Sequence, residues 1–180
     1  LAAKGPIRGM SRVETSTEVT VRPTEAADGA ALYQAWQAIR LHYATTDRRI
    51  IPAPVSEQEF IAGLRERLAR AESADFVATA EGHVVGFISG RAEENQPDRL
   101  PERHATVGHL YVDAGFRRTG VGRRLFEALA DWARDEEGIS HFEMPVLVAD
   151  PGARAFLESL GFTPFIQRLW APLSAPEPDA

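Results

Sequence analysis

A single turn decides the fold class of this 180-residue chain, and it reads Arg117-Arg118-Thr119-Gly120-Val121-Gly122. It follows an apolar, strand-like run and opens a long stretch in which apolar residues recur at helical spacing. The first N–H groups of a helix have no partner inside the helix, and the helix dipole adds positive charge there. The two glycines leave the main chain open to a phosphate group. We therefore interpret the turn as a cradle for a pyrophosphate.

Three phosphate-binding loops compete for this turn. The P-loop needs Gly-Lys-Ser or Gly-Lys-Thr, and neither occurs in the chain. The dinucleotide fingerprint needs a third glycine three residues after Gly122, and Leu125 stands there. The pattern Gln/Arg-x-x-Gly-x-Gly/Ala, which is that of the GNAT family of N-acetyltransferases, fits at every fixed position. On the motif alone, an ordinary tight turn before a surface helix also stays open.

Composition predicts a soluble globular domain with an acidic surface. Hydrophobic residues make up 44% of the chain and charged residues 26%, with a net charge of −6 and a pI near 5.4. The acidic balance argues against a nucleic-acid partner, and no apolar run approaches the roughly 18 residues that span a membrane. The absence of cysteine excludes disulfides and thiolate chemistry and suits a cytoplasmic location. The histidine spacings match no standard metal site.

The chain divides into one domain with two tails. Residues 1–17 are predicted to be a flexible leader or expression remnant, because the first methionine is Met10. Residues 18–172 form the single domain, and 173–180 form an acidic tail whose prolines and low apolar content predict disorder.

Hydrophobic periodicity and capping signals predict an ordered series of elements within the domain. Asp28 is expected to cap the first helix, and Ser56 with Glu59 forms a capping box for the second. Residues 93–103 are polar and contain proline, which predicts a loop. The predicted order is strand, two helices, hairpin, strand, helix, strand, helix and strand: 19–22, 29–43, a helix after Ser56, 75–80 with 84–90, 104–112, a helix to about 137, 142–148, 153–160 and 162–170.

This order resembles that of the GNAT family from residue 19 to about residue 170. Further matches are Arg22-Pro23 after the first strand, Leu110-Tyr111-Val112 before the turn, and Gly161-Phe162 after the last helix. The resemblance implies an α/β fold: a mixed, mostly antiparallel sheet of six to seven strands, flanked by helices and splayed between the fourth and fifth strands. Pro145 would lie on the far side of that gap, where the loss of a ladder donor would cost little, or it marks a bulge or an edge strand.

The resemblance further implies transfer of an acetyl group from acetyl-CoA to a primary amine, without a metal. The N–H of Leu110 would stabilise the oxyanion, and the N–H and C=O of Val112 would hold the pantetheine amides. Because dimers are common in that family, a homodimer is also allowed. The implied cofactor-binding residues are Leu110, Tyr111, Val112, Arg117, Arg118, Thr119, Gly120, Val121, Gly122, Arg123, Asp150 and Phe156.

The general base is harder to assign. The family's carboxylate position aligns with Thr106, which cannot act as a base. His104 lies two residues earlier and on the same strand face, and an imidazole near its ordinary pKa suits proton removal. Glu102 and His109 are alternatives, with His109 on the opposite face unless a bulge reverses the alternation.

The general acid also departs from the family pattern. Leu157 stands where the family usually has a tyrosine that protonates the CoA thiolate, and Tyr111 is the substitute candidate. Two classes of function are therefore carried forward: an N-acetyltransferase that acts on an unidentified small molecule, peptide or protein, and a non-catalytic acyl-CoA-binding module of the same fold.

Overall fold

Five strands form one mixed sheet in the order β1-β2-β3-β4-β5, flanked by four helices. The computed structural model describes residues 18–98 and 100–173, so the predictions for 1–17 and 174–180 lie outside the described residues. Short 3-10 turns, Ala26–Asp28 and Ala114–Phe116, precede α1 and follow β4. The elements are β1 Val19–Pro23, α1 Gly29–Thr46, α2 Glu57–Leu68, β2 Ser73–Ala80, β3 His83–Glu94, β4 Arg103–Val112, α3 Val121–Asp135, β5 Ile139–Glu143 and α4 Pro151–Ser159.

The strand pairing confirms a mixed, mostly antiparallel sheet that opens between its fourth and fifth strands. β1 to β4 pair antiparallel in sequence order, whereas β4 and β5 are parallel. The last β4–β5 pair joins Thr106 to Glu143, although β4 continues to Val112. The carboxyl half of β4 therefore has an open edge.

The prediction of six to seven strands was wrong, because the described residues contain five. The strand expected over 142–148 ends at Glu143, and Pro145 lacks the N–H that would continue the ladder. No strand forms between residues 162 and 170. The exposed large apolar residues of this segment stand at 165, 166, 169 and 170. They do not alternate along the chain, so a strand here would not place them on one face of the sheet.

The region expected to be a loop after the hairpin is shorter than predicted. β3 runs to Glu94 and β4 starts at Arg103, and their register pairs Glu93 with His104. β3 continues through its charged residues to Glu94, because the antiparallel partner β4 supplies backbone hydrogen bonds there. Glu93 is therefore a strand residue at the end of the sheet rather than a loop residue.

Two apolar clusters hold helices on opposite faces of the sheet. α3 packs on one face and α1 with α2 on the other, and each helix contributes the apolar residues that recur at helical spacing. The α3 cluster includes Val85, Ile88, Val107, Val121, Leu125 and Leu129. The α1–α2 cluster includes Leu32, Ala35, Ile39, Leu64, Val77 and Phe87, with Tyr43 and Tyr111 at its border.

A buried carboxylate joins β1 to the start of α1. Asp28 accepts two hydrogen bonds from the Arg22 guanidinium, at 2.8 and 2.7 Å, and one from the N–H of Glu25 at 2.8 Å. It precedes α1 as predicted, but its side chain does not cap that helix and instead closes the 3-10 turn. The Arg22 hydrogen bonds lower the pKa of Asp28.

Replacement of Asp28 by Asn should lower the free energy of unfolding by about 1–2 kcal/mol at pH 7, a modest value because Arg22 is 38% exposed. A lowered folded-state pKa contributes stability above the unfolded pKa, and that contribution is lost as pH falls through the folded pKa. The difference between variant and wild type should therefore shrink below about pH 4. Urea denaturation at pH 7 and pH 3 measures it. Asp131→Asn, at an exposed position of α3, should leave the free energy of unfolding unchanged at both pH values.

Candidate functional site

The turn between β4 and α3 has the backbone of an open helix start. Gly120 is the N-cap of α3 with φ +90°, and Arg118 has φ +66°, so two residues adopt the left-handed conformation. The first helical hydrogen bond runs from the N–H of Arg124 to the carbonyl of Gly120, at 3.1 Å. No side chain caps the helix, so the preceding N–H groups keep no intrahelical partner. A Cβ added at Gly120 would meet no atom within 4 Å, so the space before the turn is open.

Three arginines in and just after the turn are anchored to backbone carbonyls. Nε of Arg117 donates to the carbonyl of Val112 at 3.0 Å. Arg123 donates to Ser159 at the end of α4, and Arg124 donates to Val19 of β1, at 2.9 and 2.7 Å. These contacts hold their positive charge near the start of α3 and tie that helix to its neighbours.

Gly122 allows α4 to approach the turn closely. A Cβ at this position would lie 3.0 Å from Cζ of Phe156 and 3.6 Å from Cγ2 of Val112. Phe156 therefore lies beside both the turn and the end of β4. The sequence prediction placed Phe156 and Gly122 in one site, and the structure brings them together.

The last peptide groups of β4 point toward its open edge. The N–H of Asp113 donates to Val85 of β3 at 2.8 Å. Because successive residues of a strand direct their N–H and C=O to alternate edges, those of Val112 point away from β3. The contact from Arg117 to the Val112 carbonyl is consistent with this direction.

A β-bulge at Gly108 reverses the alternation along β4. The register pairs Ser89 with His109 but Gly90 with Val107, so Gly108 is the extra residue. Val107 packs in the α3 cluster and Tyr111 borders the α1–α2 cluster. His104, Thr106, His109 and Tyr111 consequently share the face that α1 and α2 cover, which answers the question left open for His109.

His109 is held by the bulge and is mostly buried. Its N–H donates to Oγ of Ser89 at 3.1 Å, and its ring lies 6.3 Å from that of Phe87. Burial lowers the pKa of His109, and the charge of Arg67 acts in the same direction. His109 is thus a packed imidazole whose surroundings disfavour its charged form.

His104 lies in a cluster of two histidines and two carboxylates where β4 and β5 part. Its Nε2 is 3.3 Å from Oγ1 of Thr106, 3.7 Å from Glu93 and 4.0 Å from Glu143, and its ring stacks on His141. Its side chain is only 9% exposed. Among the described residues, no group of three or more His, Asp or Glu has metal-binding geometry.

A carboxylate does occupy the neighbourhood of Thr106, but β3 supplies it. Oγ1 of Thr106 donates to Oε2 of Glu93 at 3.0 Å. Partial burial acts to raise the pKa of Glu93, but hydrogen bonds from Arg91 and Thr106 lower it overall. Sequence reasoning missed this contact because the strand register that brings Glu93 to Thr106 cannot be read from either segment alone.

Comparison with known proteins decides the family. The model of the Acetyltransferase (GNAT) family matches residues 34–162. The chain belongs to the GNAT acetyltransferase family. Aminoglycoside N(6')-acetyltransferase type 1 of Stenotrophomonas maltophilia is 32% identical to it over 148 residues, which cover 79% of this chain and 85% of that protein. Human N-acetyltransferase 8 is 32% identical over 95 residues, or 53% of this chain and only 40% of the human protein.

Solved structures agree on the GNAT fold. A mutant BH1408 protein of Bacillus halodurans superposes with a TM-score of 0.75 and 19% identity, covering 86% of this chain and 99% of its own. Aminoglycoside N-acetyltransferase AAC(6')-Iy in complex with CoA gives a TM-score of 0.73 and 15% identity, covering 91% and 99%. At these identities the likeness concerns the fold alone.

The position of the family's tyrosine is part of the core in this GNAT member. Leu157 is 5% exposed within α4 and offers no ionisable group. Tyr111, the substitute candidate, borders the α1–α2 cluster 6.3 Å from the Phe87 ring. Glu102, an alternative base in the sequence analysis, accepts a hydrogen bond from the N–H of Asn95 through its backbone carbonyl, at the base of the β3–β4 loop.

No helix of the described ranges has the length and apolar character needed to cross a membrane.

Proposed function

We propose that this chain is an N-acetyltransferase that transfers an acetyl group from acetyl-CoA to a primary amine, by direct attack in a ternary complex. The observation that carries the proposal is the uncapped start of α3, with Gly120 at φ +90°, beside the open edge of β4. An uncapped helix start binds phosphate, and an open strand edge binds an extended chain of amides. Acetyl-CoA has both parts, a pyrophosphate and a pantetheine arm.

The cofactor contacts follow from these two features. Val112 would bind the pantetheine amides through its N–H and C=O, which point to the open edge. Acetyl-CoA supplies a thioester carbonyl, and the N–H of Leu110, two residues beyond the bulge, would donate to its oxygen. Phe156 and Asp150 would line the cofactor side. The pyrophosphate would be held by the backbone N–H groups of Arg118, Thr119, Gly120, Val121, Gly122 and Arg123, with charge from Arg117.

Proton transfer is assigned to residues on the α1–α2 face of β4. His104 would accept a proton from the attacking amine, directly or through water, with Thr106 and Glu93 completing a hydrogen-bonded path. Tyr111 would donate a proton to the departing thiolate. Its phenol is on the same strand as the Leu110 N–H and close to it along the chain.

A non-catalytic acyl-CoA-binding module is the second candidate. Leu157 favours it, because a buried leucine replaces the family's proton donor. Such a module would bind acetyl-CoA without releasing CoA thiol in the presence of any amine.

Two measurements separate these outcomes. Calorimetric titration with acetyl-CoA and with free CoA should give micromolar or tighter binding with one site per chain. Release of free thiol from acetyl-CoA should then be followed with kanamycin as the first amine, because a relative is an aminoglycoside acetyltransferase, and next with alkylamines and lysine peptides. Binding without thiol release would support the module, and absence of binding would overturn both candidates.

A further inference from the structure

A histidine of α1 and an aspartate at the start of α4 form a close pair. Nε2 of His42 lies 2.6 Å from Oδ2 of Asp150, although 108 residues separate them in the chain. The His42 side chain is 55% exposed, whereas that of Asp150 is 14% exposed. A carboxylate thus holds one nitrogen of a ring that is open to solvent.

The pair lies beside the open edge of β4. α1 packs on one face of the sheet, where Tyr43 and Tyr111 border the same cluster. α4 approaches from the other face, where Phe156 is next to Gly122 and Val112. Since β5 pairs with β4 only as far as Thr106, the two helices flank the part of β4 that has no strand neighbour. The His42–Asp150 contact joins them across this gap.

Asp150 is fixed independently of His42. Its Oδ1 accepts the N–H of Ala153 at 2.9 Å and so caps α4. Partial burial acts to raise the pKa of Asp150, but the Ala153 hydrogen bond and the His42 contact lower it overall. An ionised carboxylate at 2.6 Å places the proton of a neutral His42 ring on Nε2. Nδ1 is then left as a proton acceptor.

We propose that His42 is a catalytic base that removes the first proton from the acceptor ammonium, and that Asp150 is the residue that positions it. The proposal rests on the acyl transfer proposed above and adds a residue to it. The supporting observation is the geometry of the pair. Asp150 orients the His42 ring through Nε2, Nδ1 is left as an acceptor, and the ring lies beside the part of β4 that has no strand neighbour.

Proton balance leaves one proton for such a group to carry away. A primary ammonium must lose two protons to become an amide, and the CoA thiolate takes up only one. In the first step a proton moves from the ammonium nitrogen to Nδ1 of His42, which releases it to solvent. The neutral amine then forms the C–N bond to the thioester carbonyl, the C–S bond breaks, and the second proton leaves nitrogen through the His104 path while Tyr111 protonates the thiolate. The His104 path then releases its proton to solvent and the Tyr111 phenolate takes one up, so one proton per turnover is released in all.

The different exposure of His42 and His104 suits them to different proton-transfer steps. His42 is half exposed and can exchange its proton with bulk water after each turnover. His104 is 9% exposed and faces Thr106, Glu93 and Glu143, which suits transfer inside a closed site. The charged and titratable groups that contact His42 are Asp150 of α4 and the adjacent Tyr43, whose pKa burial and the Asp150 charge both raise.

The test compares two acceptors with His42→Gln. Kanamycin amines are protonated at pH 7, whereas hydroxylamine is neutral and needs no first deprotonation. The variant should lower kcat/KM for kanamycin at least about 100-fold, the low end for loss of a general base. With hydroxylamine the deficit should shrink below about threefold, after subtraction of the uncatalysed rate. Equal deficits for both acceptors, or none, would overturn the proposal.

Asp150→Asn tests the positioning role. Asn keeps an oxygen for the cap of α4 but removes the charge that fixes the His42 tautomer. It should lower kcat/KM for kanamycin, and the double variant should be no slower than His42→Gln, because both changes disable one base. Additive losses would contradict the pairing. His83→Gln, at the exposed first residue of β3, is the matched control and should leave both rates unchanged.

Failure of this proposal is distinguishable from failure of the function. If the wild type binds acetyl-CoA but releases no thiol with kanamycin, alkylamines, lysine peptides or hydroxylamine, the proposed activity fails and His42 loses its role with it. If the wild type is active and His42→Gln is equally active with both acceptors, only the role of His42 is refuted.

Discussion

Replacement of Gly120 by Asp is expected to abolish the binding of acetyl-CoA, lowering its affinity at least about 100-fold, which equals about 2.7 kcal/mol. The backbone at this position has φ +90°, and the space before it is open. A carboxylate there would face the same helix start that is proposed to bind the pyrophosphate. Two like charges about 4 Å apart near a protein surface repel by about 4 kcal/mol, enough to produce such a loss.

Two matched variants separate charge from backbone strain. Gly120→Asn has nearly the same shape as Asp and tolerates the left-handed conformation, but it is neutral, so binding should stay within about tenfold of wild type. Gly138→Asp places the same side chain at φ +80°, at the opposite end of α3, and should leave the affinity unchanged. Calorimetric titration measures all three. Wild-type affinity in Gly120→Asp would refute the cradle.

The turn was predictable because its determinants are local. A strand pattern, a glycine and a helical pattern follow one another within about twenty residues, and only a glycine-like backbone connects them. The capping box of α2 is similar: Ser56 Oγ accepts the N–H of Glu59 at 3.2 Å, as the spacing predicted. Such features depend on residues that are neighbours in the chain.

The end of the sheet was less predictable, because strands depend on partners. Apolar residues over 162–170 suggested a closing strand, yet Phe165 and Trp170 remain exposed and unpaired within the described part of the chain. Conversely, Glu93 and Glu94 were predicted to lie in a loop, and pairing with β4 made them part of β3. Propensity is a weak guide where a neighbouring strand decides.

The candidate proton-transfer groups were still harder to predict from the sequence, because their contacts join distant segments of the chain. Glu93 meets Thr106 only through the β3–β4 register, and His42 meets Asp150 only because α1 and α4 reach the same gap. Neither contact has a signal in spacing or periodicity. The sequence could nominate His104 by strand alternation, but it could not show that carboxylates surround it.

Replacement of His104 by Gln is expected to lower kcat about 100-fold or more with a protonated amine, because general bases contribute about 10²- to 10⁴-fold. The affinity for acetyl-CoA should change little, since the pyrophosphate cradle lies at the other end of β4. The dependence of kcat/KM on pH should change, because one of the two proposed bases is lost. A variant that keeps both its rate and its pH profile would end the assignment.

Neighbours of His104 provide the controls that make this result specific. Glu93→Gln removes the carboxylate bonded to Thr106 and should lower kcat in the same direction, with a smaller effect because Gln can still accept that hydrogen bond. His141→Gln keeps the catalytic candidates and removes only the ring stacked on His104. Because His104 is buried, each variant must first match the wild type in thermal unfolding. A kcat loss in His104→Gln and Glu93→Gln, but not in His141→Gln, would assign proton transfer to the His104, Thr106 and Glu93 side chains. It would exclude a loss caused only by altered packing between β4 and β5.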